Sequence, residues 1–385
     1  MYAPCVAFAA LLLGWGRSLP GWAVALIAVL LAGAVLAAVH HAETVAHRVG
    51  EPFGSLILAV AVTVIEVALI ITLMVSGPAK TQAIARDTVF AAIMITCNGI
   101  VGVCLLIGAL RRGRAVFNPE GTGAALATIA TIGTLSLVLP TFTRGLPGPQ
   151  FTPAQLAFAG TASIALYATF VTVQTVRHRS DFLPLEDVSF DDVPLDSVPF
   201  EGVPLEGVPL DDDYGDAIDR SDGDDRTVID SRPTNRATIL SLGLLIVALA
   251  AVVGDAKLVS PALESNVAKA GLPQPVVGII IAMLVLAPET FTAIRAARRD
   301  RMQISLNLAF GSAIASIGLT IPAIAVASFW LEGPLLLGLD PVQMVLFLLT
   351  IVVGVLTVVP GRATLMQAGV HLSLFAAFVF LAINP

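Results

Sequence analysis

Long apolar runs separated by short polar stretches dominate this chain. Runs long enough to cross about 30 Å of hydrocarbon fall near residues 3–16, 21–40, 53–76, 88–110, 124–142, 154–175, 236–254, 274–294, 303–329, 341–360 and 363–383. The first is short; the others have full spanning length. In lipid a backbone must satisfy its own hydrogen bonds, so each run is predicted to be helical. The pattern predicts an all-α polytopic membrane protein with about eleven transmembrane helices. The opening sequence MYAPCVAFAALLLGWG has no basic region before its apolar stretch and no clear small-residue cleavage site. It is predicted to be a retained helix rather than a signal peptide.

One segment breaks the pattern. Residues 181–230 contain 17 acidic and two basic residues, Arg220 and Arg226. Inside it, LPLED-VSFDD-VPLDS-VPFEG-VPLEG-VPLDD runs from Leu183 to Asp212 with a period of five. Recurring proline excludes a helix, and five residues match no repeat that builds a packed solenoid. The segment is predicted to be an extended acidic linker. The domain organisation follows: an N-terminal helix at 1–18, a first membrane repeat at 19–177, the linker at 178–235 and a second membrane repeat at 236–385.

Composition agrees. The chain is 56% hydrophobic and 13% charged, against about 25% charged in soluble domains. That excludes a soluble globular enzyme, a disordered tail protein and a disulfide scaffold. Residues 181–230 outweigh the rest of the chain, which carries +8, and so give the net charge of −7. No basic patch with interleaved aromatics is present, so nucleic acid is not an expected partner. Cys5, Cys97 and Cys104 lie in apolar runs without metal-ligand spacing and are read as small core hydrophobes. There is no Walker A sequence, no HExxH and no Ser/His/Asp arrangement, so ATP-driven transport and hydrolysis have no support and no cofactor is expected.

Loop arginines and lysines set the orientation. The N-terminus and alternate loops hold fifteen of them, including Arg111, Arg112, Arg114, Arg298, Arg299 and Arg362; the other side holds six, including Lys80 and Arg144. The richer side is predicted to be cytoplasmic. A multi-pass protein of the cell (inner) membrane is expected, with N-terminus and linker in the cytoplasm.

The two halves resemble each other. Placing Glu66 over Glu289 puts Pro52 over Pro275, and PFGSLILAVAVTVIEVALI then lies over PVVGIIIAMLVLAPETFTA. The following runs align with Asp87 over Asp300, Asn98 over Gly311 and Gly99 over Ser312. Each half is predicted to hold five helices. An odd number of spans inserts the copies with opposite topology, the inverted repeat of secondary transporters.

A carboxylate deep in a bilayer costs roughly 2.5–3.5 kcal/mol on the insertion scale, so a chain keeps one that is paired or used. Outside the linker, Glu66 and Glu289 stand out from the acids at helix ends, and they hold corresponding repeat positions. Pro288 precedes Glu289 and frees a backbone carbonyl. Two carboxylates meeting at a pseudo-twofold axis make a hard-oxygen site suited to Ca²⁺, and crowded carboxyls also take up protons. Glu66 and Glu289 are therefore the expected cation and proton ligands. Thr63, Asn98 and Ser312 are the expected further oxygen ligands, with Asn307 and Ser316 as additional candidates. Gly99, Gly102 and Gly311 permit close helix approach.

Glu51 opens a helix in GEPFG, where it is either a first-turn acid favoured by the helix dipole or a gate or proton relay. His40, His41, Glu43 and His47 precede it, but their spacing does not share one helical face, so a metal site is not expected. His371 is read as a hydrogen-bonded interhelical residue.

Three segments carry a family likeness. HHAETVAHRVGEPFGSLILAVAVTVIEVALI, RDTVFAAIMI and LAPETFTAIRAARRDRMQISLNLAFGSAIASIGLTIP resemble the bacterial Ca²⁺(Na⁺)/H⁺ antiporters of the cation/proton exchanger branch of the Ca²⁺/cation antiporter superfamily. The resemblance implies two five-helix inverted repeats, an extra N-terminal helix and an acidic linker between the halves. It also implies that Glu66 and Glu289 are the repeat glutamates that bind cation and proton alternately. The superfamily often has GNxxE; here Thr63 and Leu286 stand at the Asn positions. That departure leaves Ca²⁺, Na⁺ and K⁺ all open as cargo. The expected function is exchange of a cytoplasmic cation for external protons, the partners being the lipid bilayer and the transported ions. A cation channel, or a sensor whose acidic linker binds a partner, are the competing classes.

Overall fold

The computed structural model describes residues 2–17, 19–50, 53–76, 83–183, 234–330 and 333–385. Glu51 and almost all of the acidic linker lie outside the described residues. The main helices among the described residues are, in chain order, α1 (Ala3–Gly14), α2 (Gly21–Val49), α3 (Phe53–Ser76), α4 (Ile84–Arg112), α5 (Pro119–Phe142), α6 (Pro153–Arg177), α7 (Asn235–Lys269), α8 (Pro275–Val285), α9 (Ala287–Arg298), α10 (Met302–Ala327), α11 (Pro341–Val358) and α12 (Leu365–Ile383). Among the described residues, eight helices are long and apolar enough to cross a membrane, or nine if the bent pair α8–α9 counts as one. Ala3–Gly14 is a shorter apolar helix. The apolar runs therefore became helices at the expected places.

Local chemistry sets the helix starts. Proline stands at the first or second position of α5, α6, α8, α9 and α11, where a missing N–H costs nothing. Thr152 with Gln155, Asp340 with Gln343 and Thr364 with Gln367 form capping boxes on α6, α11 and α12, each satisfying two orphan backbone donors. The caps of α6 and α12 are of the same Thr-x-x-Gln type, as expected of the last helix in each of two repeats.

The repeats run in opposite directions. Arg48, near the end of α2, donates to Asn235 at the start of α7, and these repeat-equivalent helices pack along each other. Arg111 and Arg112, at the end of α4, pair with Asp300 just before α10, at 3.3 and 3.4 Å. A short antiparallel strand pair, β1 (Ala115–Val116) with β2 (Arg362–Ala363), joins the turns after α4 and α11. Those two arginine-bearing turns thus share one face, as the loop assignment requires.

Helices α4 and α10 form the centre. In their apolar windows 83% and 72% of residues are buried, against 17% to 44% for the other full-length spans. The outer helices present apolar side chains outward, such as Phe158, Ile239 and Leu348, as a lipid-facing surface demands. The middle tolerates little added volume. A Cβ on Gly278 of α8 would come 3.1 Å from the backbone of Asp87 and Thr88, whereas one on Gly243 of α7 would meet nothing within 4 Å. Gly278→Val is expected to lower stability by about 1–3 kcal/mol and Gly243→Val to leave it nearly unchanged; thermal melts in detergent compare them.

Candidate functional site

The helix carrying Glu289 is broken just before it. Helices α8 and α9 meet at a 55° bend around Leu286, and Pro288 explains it, because its ring removes an N–H and crowds the preceding turn. Glu289 lies in the first turn of α9, where unpaired backbone N–H groups favour a negative charge. Glu66 differs: it sits within the unbroken helix α3. The repeat thus offers its two glutamates in unlike backbone settings.

A cavity of about 260 Å³ opens beside Glu289 between α3, α6 and α10. Its polar lining includes Thr63, Gln174, Asn307, Ser312 and Ser316. Glu66 is 2% exposed and lies behind this lining. Its Oε2 accepts a 2.8 Å hydrogen bond from the Ser316 hydroxyl, so Ser316 touches both the cavity and the carboxylate. Oε1 of Glu66 and Oε2 of Glu289 are buried without a hydrogen-bond partner. A buried polar group without a partner costs about 1–3 kcal/mol, and more if charged; Glu289 on the cavity wall and Glu66 behind it each carry such an oxygen. Among the described residues no group of three or more His, Cys, Asp or Glu is placed to hold a metal. A cation here would rest on two carboxylates with hydroxyl and backbone oxygens completing its shell.

The structure brings Glu66, Glu289, Thr63 and Ser312 to this one place. It takes Asn98 elsewhere. Asn98 is fully buried, but its Nδ2 donates to Thr350 Oγ1 at 2.8 Å and its Oδ1 lies 3.2 Å from His371 Nδ1. The expectation that Asn98 joins the cation shell is corrected on that geometry, because both ends of its amide are occupied by α11 and α12. Asn307 lines the cavity, yet it is held by Gln303 at 2.9 Å and by the Phe182 carbonyl at 2.6 Å. Gln174 and Tyr167 of α6 also line the cavity and were not foreseen. Each is a single polar group in an apolar run, and no spacing distinguishes it from a packing residue.

Comparisons with known proteins bear on this arrangement. The family profile described as sodium/calcium exchanger protein matches residues 9–176 and 240–384. The putative ionic transporter y4hA of Sinorhizobium fredii is 42% identical over 356 residues, covering 92% of this chain and 87% of the relative. The sodium-potassium/proton antiporter ChaA of Escherichia coli is 30% identical over 355 residues, covering 92% and 86%. The crystal structure of the H⁺/Ca²⁺ exchanger CAX superposes with a TM-score of 0.67 at 16% identity, over 98% of this chain and 88% of that one. At that identity the likeness concerns the fold.

Proposed function

The chain belongs to the sodium/calcium exchanger protein family, and from that premise we propose that it exchanges a cytoplasmic cation for external protons at a site made by Glu66 and Glu289. The observation that carries this reading is the pair of unpartnered, buried carboxylate oxygens, one on Glu289 in the cavity wall and one on Glu66, which the cavity-lining Ser316 holds just behind it. A deprotonated pair supplies two negative charges and hard oxygen ligands, with Ser316, Ser312 and Thr63 beside them. Protons arriving from the other side neutralise the same carboxyls and release the cation. The empty, charged site is costly to carry through a low-dielectric interior. That penalty couples the two fluxes, because the site crosses only when loaded with cation or protons. Inverted repeats supply the two access states. The location follows as the inner membrane, with the arginine-rich loops and the acidic linker on the cytoplasmic side.

Cargo among Ca²⁺, Na⁺ and K⁺ is decided by coordination number and field strength. The relative named as a sodium-potassium/proton antiporter and Leu286 at a superfamily Asn position support monovalent ions as cargo. The two carboxylates support Ca²⁺. Purified protein in liposomes with an internal pH dye and an imposed pH gradient tests this. Addition of the transported cation is expected to trigger proton movement, and the most effective ion names the cargo. Cation flux without proton counterflow would make the protein a channel instead.

A further inference from the structure

Thr320 lies just beyond the cavity. It stands on α10 four residues after Ser316, one helical turn along the same face. Ser316 is the last residue of α10 on the cavity wall, so Thr320 is one turn deeper, where it is 0% exposed. Both hydroxyls meet the Glu66 carboxyl. Ser316 donates to Oε2 at 2.8 Å, and the Thr320 hydroxyl faces the same carboxyl.

What sets Thr320 apart is that its hydroxyl bonds nothing. Threonines in helices can turn the hydroxyl onto the carbonyl four residues back. Thr72, Thr96, Thr128, Thr169, Thr290 and Thr350 all do so here, at 2.6–2.8 Å. Thr320 Oγ1 has no hydrogen-bond partner, and neither has Oε1 of the carboxyl it faces. Leaving a hydroxyl and a carboxylate oxygen unpaired in a dry interior is unfavourable. A hydrogen bond between the two would remove that penalty, yet they are placed so that neither bonds the other. Unpaired neutral and carboxylate oxygens facing one another suit a hard cation, which takes both kinds together.

We propose that Thr320 Oγ1 is a cation ligand, binding the ion together with Glu66 Oε1 one turn deeper than the cavity. The ion arrives along the cavity wall, where Ser316 holds the other carboxylate oxygen, and is seated away from bulk water. Thr320 then sets stability against binding: its hydroxyl is unfavourable in the empty protein and a ligand in the loaded one. The proposal deepens the exchange reading above and rests on its cation site.

The test follows thermal melts of the full chain in detergent as Ca²⁺, Na⁺ or K⁺ is raised, in alkaline buffer with choline chloride holding ionic strength constant. Thr320→Val keeps the shape and removes the hydroxyl; Thr320→Ser keeps the hydroxyl. The parent is expected to melt higher as the favoured cation rises, and Glu66→Gln to lose that response. Without cation, Thr320→Val should melt above the parent, because an unpaired buried hydroxyl is gone. It should also need roughly tenfold more cation for the same upward shift, the size of losing one polar contact to a charge. Thr320→Ser should match the parent in both respects. A Thr320→Val protein that melts below the parent without cation would make the hydroxyl a structural group and overturn the proposal; so would a parent-like response to cation. The melts need no transport. A parent that responds to cation in detergent but shows no cation-triggered proton movement in liposomes would sink the exchange reading and leave the ligand standing. A parent whose melting no cation moves would overturn both.

Discussion

Glu66→Gln is expected to abolish cation-triggered proton movement in the liposome assay, a loss on the order of a hundredfold or more, while the protein remains folded. The size follows from removing one partner of a buried charged contact, about 2–5 kcal/mol. Glutamine keeps the shape of the side chain, and its carbonyl oxygen can still accept the hydrogen bond that Ser316 gives to Oε2, so packing gives no reason for unfolding. What is lost is the charge and the titratable oxygen. A glutamine neither balances a cation nor carries a proton. Glu289→Gln should do the same, because Glu289 lines the cavity and Ser316, on the same lining, holds Glu66 behind it. Proton-coupled exchange at the parent rate in Glu66→Gln would take the carboxyl out of the transport cycle and make its burial structural.

Ser316→Ala should weaken apparent cation affinity roughly tenfold to a hundredfold and change the maximal rate much less. The Ser316 hydroxyl is the hydrogen-bond donor that holds Glu66 Oε2 at 2.8 Å, and hydrogen bonds to charged groups are worth about 1.5–3 kcal/mol. Without it, Glu66 has a second unsatisfied oxygen beside the one it already carries. The carboxylate is then free to leave the orientation that this hydroxyl holds. Serine 316 also lines that cavity, so its loss removes a candidate oxygen ligand. Ser316→Thr, which restores the hydroxyl, should recover most of the affinity. The half-saturating cation concentration, measured with rising cation at fixed pH gradient, checks this. An unchanged value would show that the hydroxyl orients nothing that matters to the cargo.

Much of the fold was legible without coordinates. The eleven apolar runs fall on the helices now seen, because backbone in lipid leaves no alternative to a helix and a helix must be apolar to stay there. The repeat was legible from the glutamate alignment, and the opposed directions of α2 and α7 follow from five runs in each half. Pro288 foretold the break beside Glu289, since proline removes a hydrogen bond wherever it stands. The N-terminal run was legible as a helix of less than spanning length. Less readable was the centre. Nothing in the hydropathy of α4 and α10 sets them apart from α12, yet the first two are buried and the last faces outward.

The contrast is sharpest at Asn98 and Ser312, which stand at neighbouring repeat positions and looked alike as candidate ligands. Ser312 lines the cavity; Asn98 is spent on Thr350 and His371. By itself the sequence determined that this is a helical membrane protein with two opposed repeats and two intramembrane glutamates, because those features depend on runs, spacing and charge within single segments. Which polar groups meet and which of them line the cavity were decided only by the tertiary structure. The physical reason is that a helix shows side chains on every face, and its rotation and its neighbours come from packing against other segments, which spacing along one segment does not specify.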